Sequence, residues 1–568
     1  ENPILCCGKI LDCMELSKVF SSTEEIHPIK SALGNMPSVE IVREISSVPV
    51  EDSVNRQGYA AYALADELKL ISMLNTVRIE AQAYRSENQV MKDLRDLIEK
   101  IGMNDPYFVA QAIVYSRCKG EGMRAINHLA AALLAPFISG QEYAKRFYGL
   151  WNKKEDRGGC IYRPDDMSEI KDVYCALNKG TLSNSMKKGF AASLEALDTY
   201  LLSKYKKTVI DIANLVHPNP TKSKATVKDE NGNEVNVLNA LMNGINVIAD
   251  TWETAQAEAG QEVAKAVREG KLSKEKAAEV LKEAKAENWN SLLKENKLGI
   301  LAALRNIRAI MNNSNASNDT VKMLTNLLSN GNAIRNGLIM PYQIDTAYEV
   351  VREQVNSSID QRNILTALLK GYEAAVPNLA VALPGKTCVL LDCSGSMHTA
   401  CVEKRNGKLE RMRNATACEK AGLIAATIAK ATNADIVRFG SRAEFAQYDP
   451  NKNVFDLGTQ LSNCNMGGTS IAMAFNKING KQYDRIILLS DNEANTGSTS
   501  TAYKSYLRSV NSSPYVYCID FAAYGTTPLK NDGKINYYYG FGYSMFDDIA
   551  SKEFNPMQHI DKVRKIVI

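Results

Sequence analysis

The sequence predicts an α + α/β multidomain chain: an all-helical first half followed by a doubly wound α/β domain. Three observations carry this. Before residue 386 strand signals are nearly absent, and apolar residues recur at helical spacing. Beyond it, short apolar runs alternate with helical stretches, the pattern of a buried parallel sheet. Between the two, Ala374–Lys386 gathers Pro377, Pro384 and Gly385, the punctuation of a boundary.

The bulk properties leave room for this. At roughly 150 residues per domain, 568 residues allow about two to four domains. With 45% hydrophobic and 23% charged residues, the chain is neither disordered nor a disulfide scaffold. No apolar run of about 18 residues appears, so no membrane span is expected. A net charge of +4 is too small to argue nucleic-acid binding by itself. The 12 cysteines are scattered without a C-x-x-C pair, as in a cytoplasmic protein with reduced, buried thiols. Cys6, Cys7 and Cys13 cluster but lack a fourth ligand at zinc-site spacing. The chain starts at Glu1 rather than Met; processing is one reading of that start.

In order, residues 1–56 are Pro-punctuated (Pro28, Pro37, Pro49) and read as an irregular arm. From about Tyr59 the pattern turns helical, with Leu64, Leu68, Ile71 and Leu74 on one face. A second helix starts near Glu87, and Asp105-Pro106 opens a third as N-cap and first turn. Helical segments follow at 122–138, 141–150, 166–178, 187–204 and 207–216, with strand signals interrupting once. Asn231-Gly232 between alternating residues marks a hairpin at about 225–237. Residues 258–288 form a charged helical pair broken at Gly270, with Ser273 as N-cap; basic and acidic side chains balance there, as on a solvated face. Further helices are expected at 291–312, 319–330 and 342–373, completing a helical domain over 57–375. In 386–568, strands are expected at Cys388–Leu391, Ile436–Phe439, Arg485–Leu489 and Tyr515–Ile519. Helices are expected at 410–432, 470–478 and 500–511.

Asp392-Cys393-Ser394-Gly395-Ser396 directly follows the first of those strands. Gly467-Gly468-Thr469-Ser470 precedes a helix, and Ser490-Asp491-Asn492-Glu493 ends the third strand. Ligands of open α/β sheets bind beyond the carboxyl ends of the strands. Hydroxyls and carboxylates gathered there are hard donors suited to Mg²⁺. The set resembles the metal-ion-dependent adhesion site of von Willebrand factor A domains over about 386–568. That resemblance implies Ser394, Ser396 and Thr469 as metal ligands, direct or through water, with Asp392 and Asp491 supplying charge.

Leu489-Ser490-Asp491-Asn492-Glu493 further resembles the A domain of the Ro ribonucleoprotein family. The helical half supplies matching pieces in order. Ser185-Met186-Lys187-Lys188-Gly189-Phe190 resembles the start of the family's RNA-binding region, and His217-Pro218-Asn219-Pro220 its turn after a long helix. Leu298–Met311, with Leu301, Leu304, Arg305 and Asn306, and Ile339-Met340-Pro341-Tyr342 resemble two later segments. The likeness runs from about residue 57 to the end. It implies a bacterial or phage-type relative of Ro: a TROVE domain of HEAT-like helical repeats closed into a ring, its ends joined by the A domain. It implies small structured non-coding RNA (Y RNA-like), misfolded RNA or single-stranded RNA ends as partners, and a nuclease as a possible protein partner of a monomeric chain.

Charge supports this locally. Residues 179–224 hold lysines 179, 187, 188, 204, 206, 207, 222 and 224 against Glu195, Asp198 and Asp211. Clustered cations release counterions from phosphate. Lys187, Lys188, Lys204, Lys206, Lys207 and His217 are therefore the first RNA-binding candidates, and Arg117, Lys119 and Arg124, with Lys145 and Arg146, form a second basic set. Ala191–Ala196 lacks the cations the family's eukaryotic members carry there, so generic phosphate binding is expected rather than specific Y RNA contacts. The alternative is an interaction protein, for example a virion component, binding a protein carboxylate through Mg²⁺. No catalytic residue is expected: the five histidines are isolated, and no phosphate loop or nucleophile–base pair is present.

Overall fold

The computed structural model describes residues 4–6, 9–11, 52–178, 180–228, 233–245, 252–313, 318–337, 339–354, 358–399, 402–405, 408–411, 416–530, 534–540, 542–550 and 558–568. Most of the 1–56 arm, Cys7, Cys13, Lys179 and the Asn231-Gly232 turn lie outside them.

Local chemistry sets the helices of the first half. Ser86 caps Glu87–Gly102 by accepting from Gln89 N. Asp105 caps Pro106–Val114 through Phe108 N, with Pro106 in the first turn, where no N–H is missed. Ser273 caps Lys274–Lys294 after Gly270, whose φ of +70° ends Trp252–Arg268. Thr226–Lys228 and Glu234–Asn236 pair antiparallel as the expected hairpin.

Other elements differ from expectation. The described part of the arm is not irregular throughout: Ile4–Cys6 pairs with Lys9–Leu11, and Ser53–Val54 with Ala60–Ala63. The helical pattern therefore begins at Asp66, not Tyr59. Segment 141–150 keeps only the short helix Ala144–Phe147, and 187–204 divides into Asn184–Ala196 and Thr199–Lys204 at the cap Asp198. The stretch 342–373 is two helices, Pro341–Gln354 and Ser358–Ala375.

The second half is built on β1 (Thr387–Asp392), β2 (Asp435–Phe439), β3 (Ala443–Phe445), β4 (Arg485–Ser490), β5 (Tyr515–Asp520) and β6 (Ile535–Tyr539). Their order is β3-β2-β1-β4-β5-β6, parallel except for the edge strand β3. The chain leaves β1 toward β2 and returns on its other side as β4, so the carboxyl ends of β1 and β4 flank the topological switch.

The sheet unites the molecule. Alternate residues point to opposite faces, and here the faces open into different cores. Cys388 and Leu390, with Ile486 and Leu488, belong to the core running through residues 64–241. Val389 and Leu391, with Ile487 and Leu489, belong to the core running through 289–383. Polar contacts repeat the division. On the first side, Ala60–Ala63 pairs with Thr526–Thr527, and Asn55 Nδ2 donates to Ala494 O at 2.6 Å. On the second, the Tyr372 hydroxyl meets Thr427 Oγ1 at 2.6 Å, and Arg352 pairs with Asp456. The α/β domain is thus bonded to both ends of the helical half.

Candidate metal centre and basic surface

Asp392 ends β1 and Ser490 ends β4, adjacent strands in parallel register. Ser490 Oγ donates to Asp392 Oδ2 at 2.6 Å, and Ser394 N donates to Oδ1 at 2.8 Å. Both Asp392 oxygens are therefore engaged, and its charge acts through its neighbours. The turn that follows sets Ser394 Oγ and Ser396 Oγ 3.2 Å apart. Asp491, the residue after β4, accepts from Glu493 N at 3.2 Å.

The glycine loop is tied to this turn. Met466 N donates to Cys393 O and Gly395 N to Gly467 O, each at 2.8 Å. Gly467 has φ +78°, open to glycine at little cost. Thr469 and Asn495 lock the third loop: Thr469 N donates to Asn495 Oδ1 at 2.9 Å, and Asn495 N returns to Thr469 O at 2.8 Å. The structure therefore ties the loops carrying Asp392, Ser394, Ser396, Thr469 and Asp491 together at the sheet's switch point.

The electrostatics fit a cation. Burial first, and the charge of Asp491 second, push Asp392 up to about 7. Burial raises Asp491 as well, takes Glu493 up to about 7 with help from Asp491, and takes Asp520 to about 6. These buried carboxylates resist ionising together. Thr469 Oγ1 is buried with no hydrogen-bond partner, an orphan oxygen a metal would satisfy. Among the described residues no group of three or more His, Cys, Asp or Glu side chains is placed to hold a metal ion. A cation here would rest on the Ser394, Ser396 and Thr469 hydroxyls, with Asp392 and Asp491 supplying charge.

Lys187, Lys188, Lys206 and Lys207 lie on two packed helices, and Lys204 ends the short helix between them. Phe190 and Met186 of Asn184–Ala196 and Val209 and Ile212 of Lys206–Val216 are buried. Gly189 lets Asn184–Ala196 sit close on the end of Ala144–Phe147: a Cβ there would come within 2.8 Å of Tyr148 Cβ. Lys188, Lys206 and Lys207 are exposed and Lys187 half-buried. Lys204 donates to the Tyr200 hydroxyl at 3.1 Å and lies over the Tyr200 and Tyr205 rings.

His217 is not beside the helix-initial lysines. It is the left-handed C-cap of Lys206–Val216, φ 49°, exposed, with its N–H on Ala213 O. Asn219 N, just beyond it, donates to Glu195 at the end of the other helix. The C-terminal ends of both helices thus meet near His217, Lys222 and Lys224, and Lys187, Lys188, Lys206 and Lys207 lie toward the opposite ends.

Of the second basic set, Arg117, Lys119 and Arg124 are engaged with carboxylates, and Lys145 and Arg146 are exposed. Arg117 is buried and donates to both oxygens of Asp166 at 2.9 and 2.8 Å. Arg124 bonds Glu169, His128 lies between Asp166 and Glu169, and Lys119 pairs with Asp156. Burial alone would raise Asp166, but Arg117 and His128 hold it well below the usual carboxylate range. A phosphate reaching Arg117 would have to break this network. Sequence shows cations without showing their partners, which is why these residues read as a patch. Asn495 had no sequence signal either, because only the fold brings it to Thr469.

The fold and site together define a class: a helical half bonded at both ends to a doubly wound α/β domain that carries an oxygen-donor cluster at its switch point. No family model matches the sequence, and no curated protein matches it significantly. The Ro (RSR) protein of Deinococcus radiodurans matches in structure, with a TM-score of 0.50 and 16% identity over 86% of this chain and 99% of that one. The chain therefore has a Ro-like fold.

Proposed function

We propose that this protein is a non-catalytic RNA-binding protein of the Ro type. The observation that carries the reading is the lysine surface on the helix bearing Ser185–Phe190. Lys187, Lys188 and Lys207 have no carboxylate partner among the described residues, on a fold matched across nearly the whole Ro chain. Unneutralised cations on adjoining helices attract phosphate irrespective of base sequence. On this reading the TROVE-type helical repeats and the von Willebrand A-type domain close a ring. The ring holds single-stranded ends, and its outer face holds small structured RNA resembling Y RNA. The roles served are RNA quality control or tethering of a nuclease by a cytoplasmic monomer. Mg²⁺ occupies the cluster at Ser394, Ser396 and Thr469.

A second reading draws on the orphan Thr469 hydroxyl and the carboxylates behind it: an interaction protein, such as a virion component, that holds a partner's carboxylate through Mg²⁺. The two separate on purification. The RNA reading expects copurified nucleic acid, seen in the absorbance ratio and identified by sequencing crosslinked RNA. A nucleic-acid-free protein that neither crosslinks nor retains added RNA would reject it.

A further inference from the structure

The short helix Thr199–Lys204 stands between the two lysine-bearing helices and presents an aromatic ring to solvent. Asp198 caps it by accepting from Leu201 N at 2.8 Å, and Leu202 and Ser203 are buried beneath it. Tyr200 and Lys204 stand four residues apart, so they are neighbours on its outer face. Tyr200 is 40% exposed. Its hydroxyl accepts from Lys204 Nζ at 3.1 Å. That ammonium lies 5.4 Å from the Tyr200 ring centre and 5.8 Å from the ring centre of Tyr205, the C-cap of the helix. The exposed Lys206 and Lys207 follow directly.

We infer that Tyr200 is a stacking platform for an unpaired RNA base, so that the lysine surface takes RNA at a single-stranded stretch in preference to plain duplex. The inference rests on the RNA reading above and deepens it. The short helix is anchored through Leu202, and the Tyr200 ring adds little to that core; what it offers is a π face in solvent. Lys204 steadies the ring through its hydroxyl and through attraction to the ring itself. Every base has a π face, so stacking tolerates any sequence, as phosphate attraction by the neighbouring lysines does. Bases inside a duplex are already stacked on their neighbours and have no face to give a side chain. The lysines attract the phosphates of either form; the ring supplies the discrimination they lack.

The test titrates the full-length protein, by fluorescence anisotropy, with an RNA duplex carrying an unpaired oligo(U) tail and with the same duplex blunt-ended. Tyr200→Ala should bind the tailed duplex about 5- to 150-fold more weakly than wild type, the scale of one base–aromatic stack. It should bind the blunt duplex as wild type does. Its slope of log affinity against log salt should be unchanged, because no charge is lost. Tyr200→Phe keeps the ring and should keep the affinity. Equal affinity of wild type and Tyr200→Ala for the tailed duplex overturns the inference alone. So does an equal loss on both duplexes, a shallower salt slope, or a Tyr200→Phe that binds as weakly as Tyr200→Ala, since each reduces the tyrosine to a support for Lys204. A wild type that binds neither duplex removes the RNA reading and this inference with it.

Discussion

The side-chain amide of Gln111 donates to the backbone carbonyl of Ile566 at 2.8 Å, and also to that of Arg564 at 2.9 Å. One buried glutamine of the helical half thereby fixes the last turn of the α/β domain, where Val563, Ile566 and Ile568 are buried. Gln111→Ala strands two carbonyls, so it should cost about 1–3 kcal/mol in chemical denaturation. Arg564 pairs with Asp105 at 3.0 Å on the surface. Arg564→Ala should cost under about 1 kcal/mol as an exposed pair, apart from its stacking on Phe108. Equal losses in the two variants would show that the glutamine is not the lock.

A larger loss is expected inside the first block. Asp166 is fully buried and accepts from Arg117 and from the Tyr162 and Arg163 amides. Asp166→Asn leaves the buried Arg117 guanidinium without its counter-charge. Breaking one side of a buried pair costs on the order of 3–5 kcal/mol. Urea unfolding of the variant measures it. Because the network is internal, the Mg²⁺ response of the distant centre should survive wherever the protein stays folded.

How much was legible in the sequence depended on whether the signal was local. β1 and β4 were readable because strands covered on both faces are continuous apolar runs. β6 was missed: Ile535-Asn-Tyr-Tyr-Tyr539 is wholly buried but carries an amide and three hydroxyls, so its place comes from pairing beside β5. Ala60–Ala63 was missed because its partner Thr526–Thr527 lies in the other half of the chain. The same rule governs the centre. Asp392, Ser394 and Ser396 stand two apart on one turn and announce themselves, and Thr469 and Asp491 follow from motif order.

For the metal centre the sign of the mutational effect is informative. Mg²⁺ at about 100 times its Kd stabilises the folded chain by roughly 2.7 kcal/mol, read as a higher thermal midpoint. Thr469→Ala and Asp491→Asn should each abolish most of that rise. Without metal they diverge from ordinary core damage. Asp491→Asn removes a charge that burdens the buried Asp392, so the metal-free midpoint should hold or rise. A fall in both conditions would mark Asp491 as a structural hydrogen-bonding group only.

Acid should loosen the joint between the halves. His559 is half-buried against the Tyr538 and Tyr539 rings, beside a small cavity also lined by Asn75, Tyr115, Glu121 and Met545. Burial pushes its imidazole from 6.5 down to about 4. Between those values the unfolded chain binds a proton that the folded chain does not, so stability falls as pH falls through the window. The full effect is about 3 kcal/mol. Denaturation at pH 7 and pH 4.5 should show a steeper loss in wild type than in His559→Phe; parallel curves would exclude this histidine as the cause.

The lysine surface gives the last test. Lys187, Lys188, Lys204, Lys206 and Lys207 carry their charges on helices whose apolar faces are already satisfied by Met186, Phe190, Leu202, Val209 and Ile212. Changing all five to Glu should therefore spare the fold, checked by circular dichroism, while abolishing most RNA affinity. If about four of them meet phosphate, the wild-type log affinity should fall with log salt at a slope of roughly −3 to −4. Scrambling the RNA sequence should matter less than salt, because the counterion term ignores base identity. His217→Ala should change affinity little, since that exposed cap sits at the opposite end of Lys206–Val216 from Lys206 and Lys207. Tight binding retained by the charge-reversed protein at matched ionic strength would move the RNA site elsewhere. Arg117 and Arg124 would not inherit it, because Asp166 and Glu169 already hold them. The exposed Lys222 and Lys224 near His217 would be examined next.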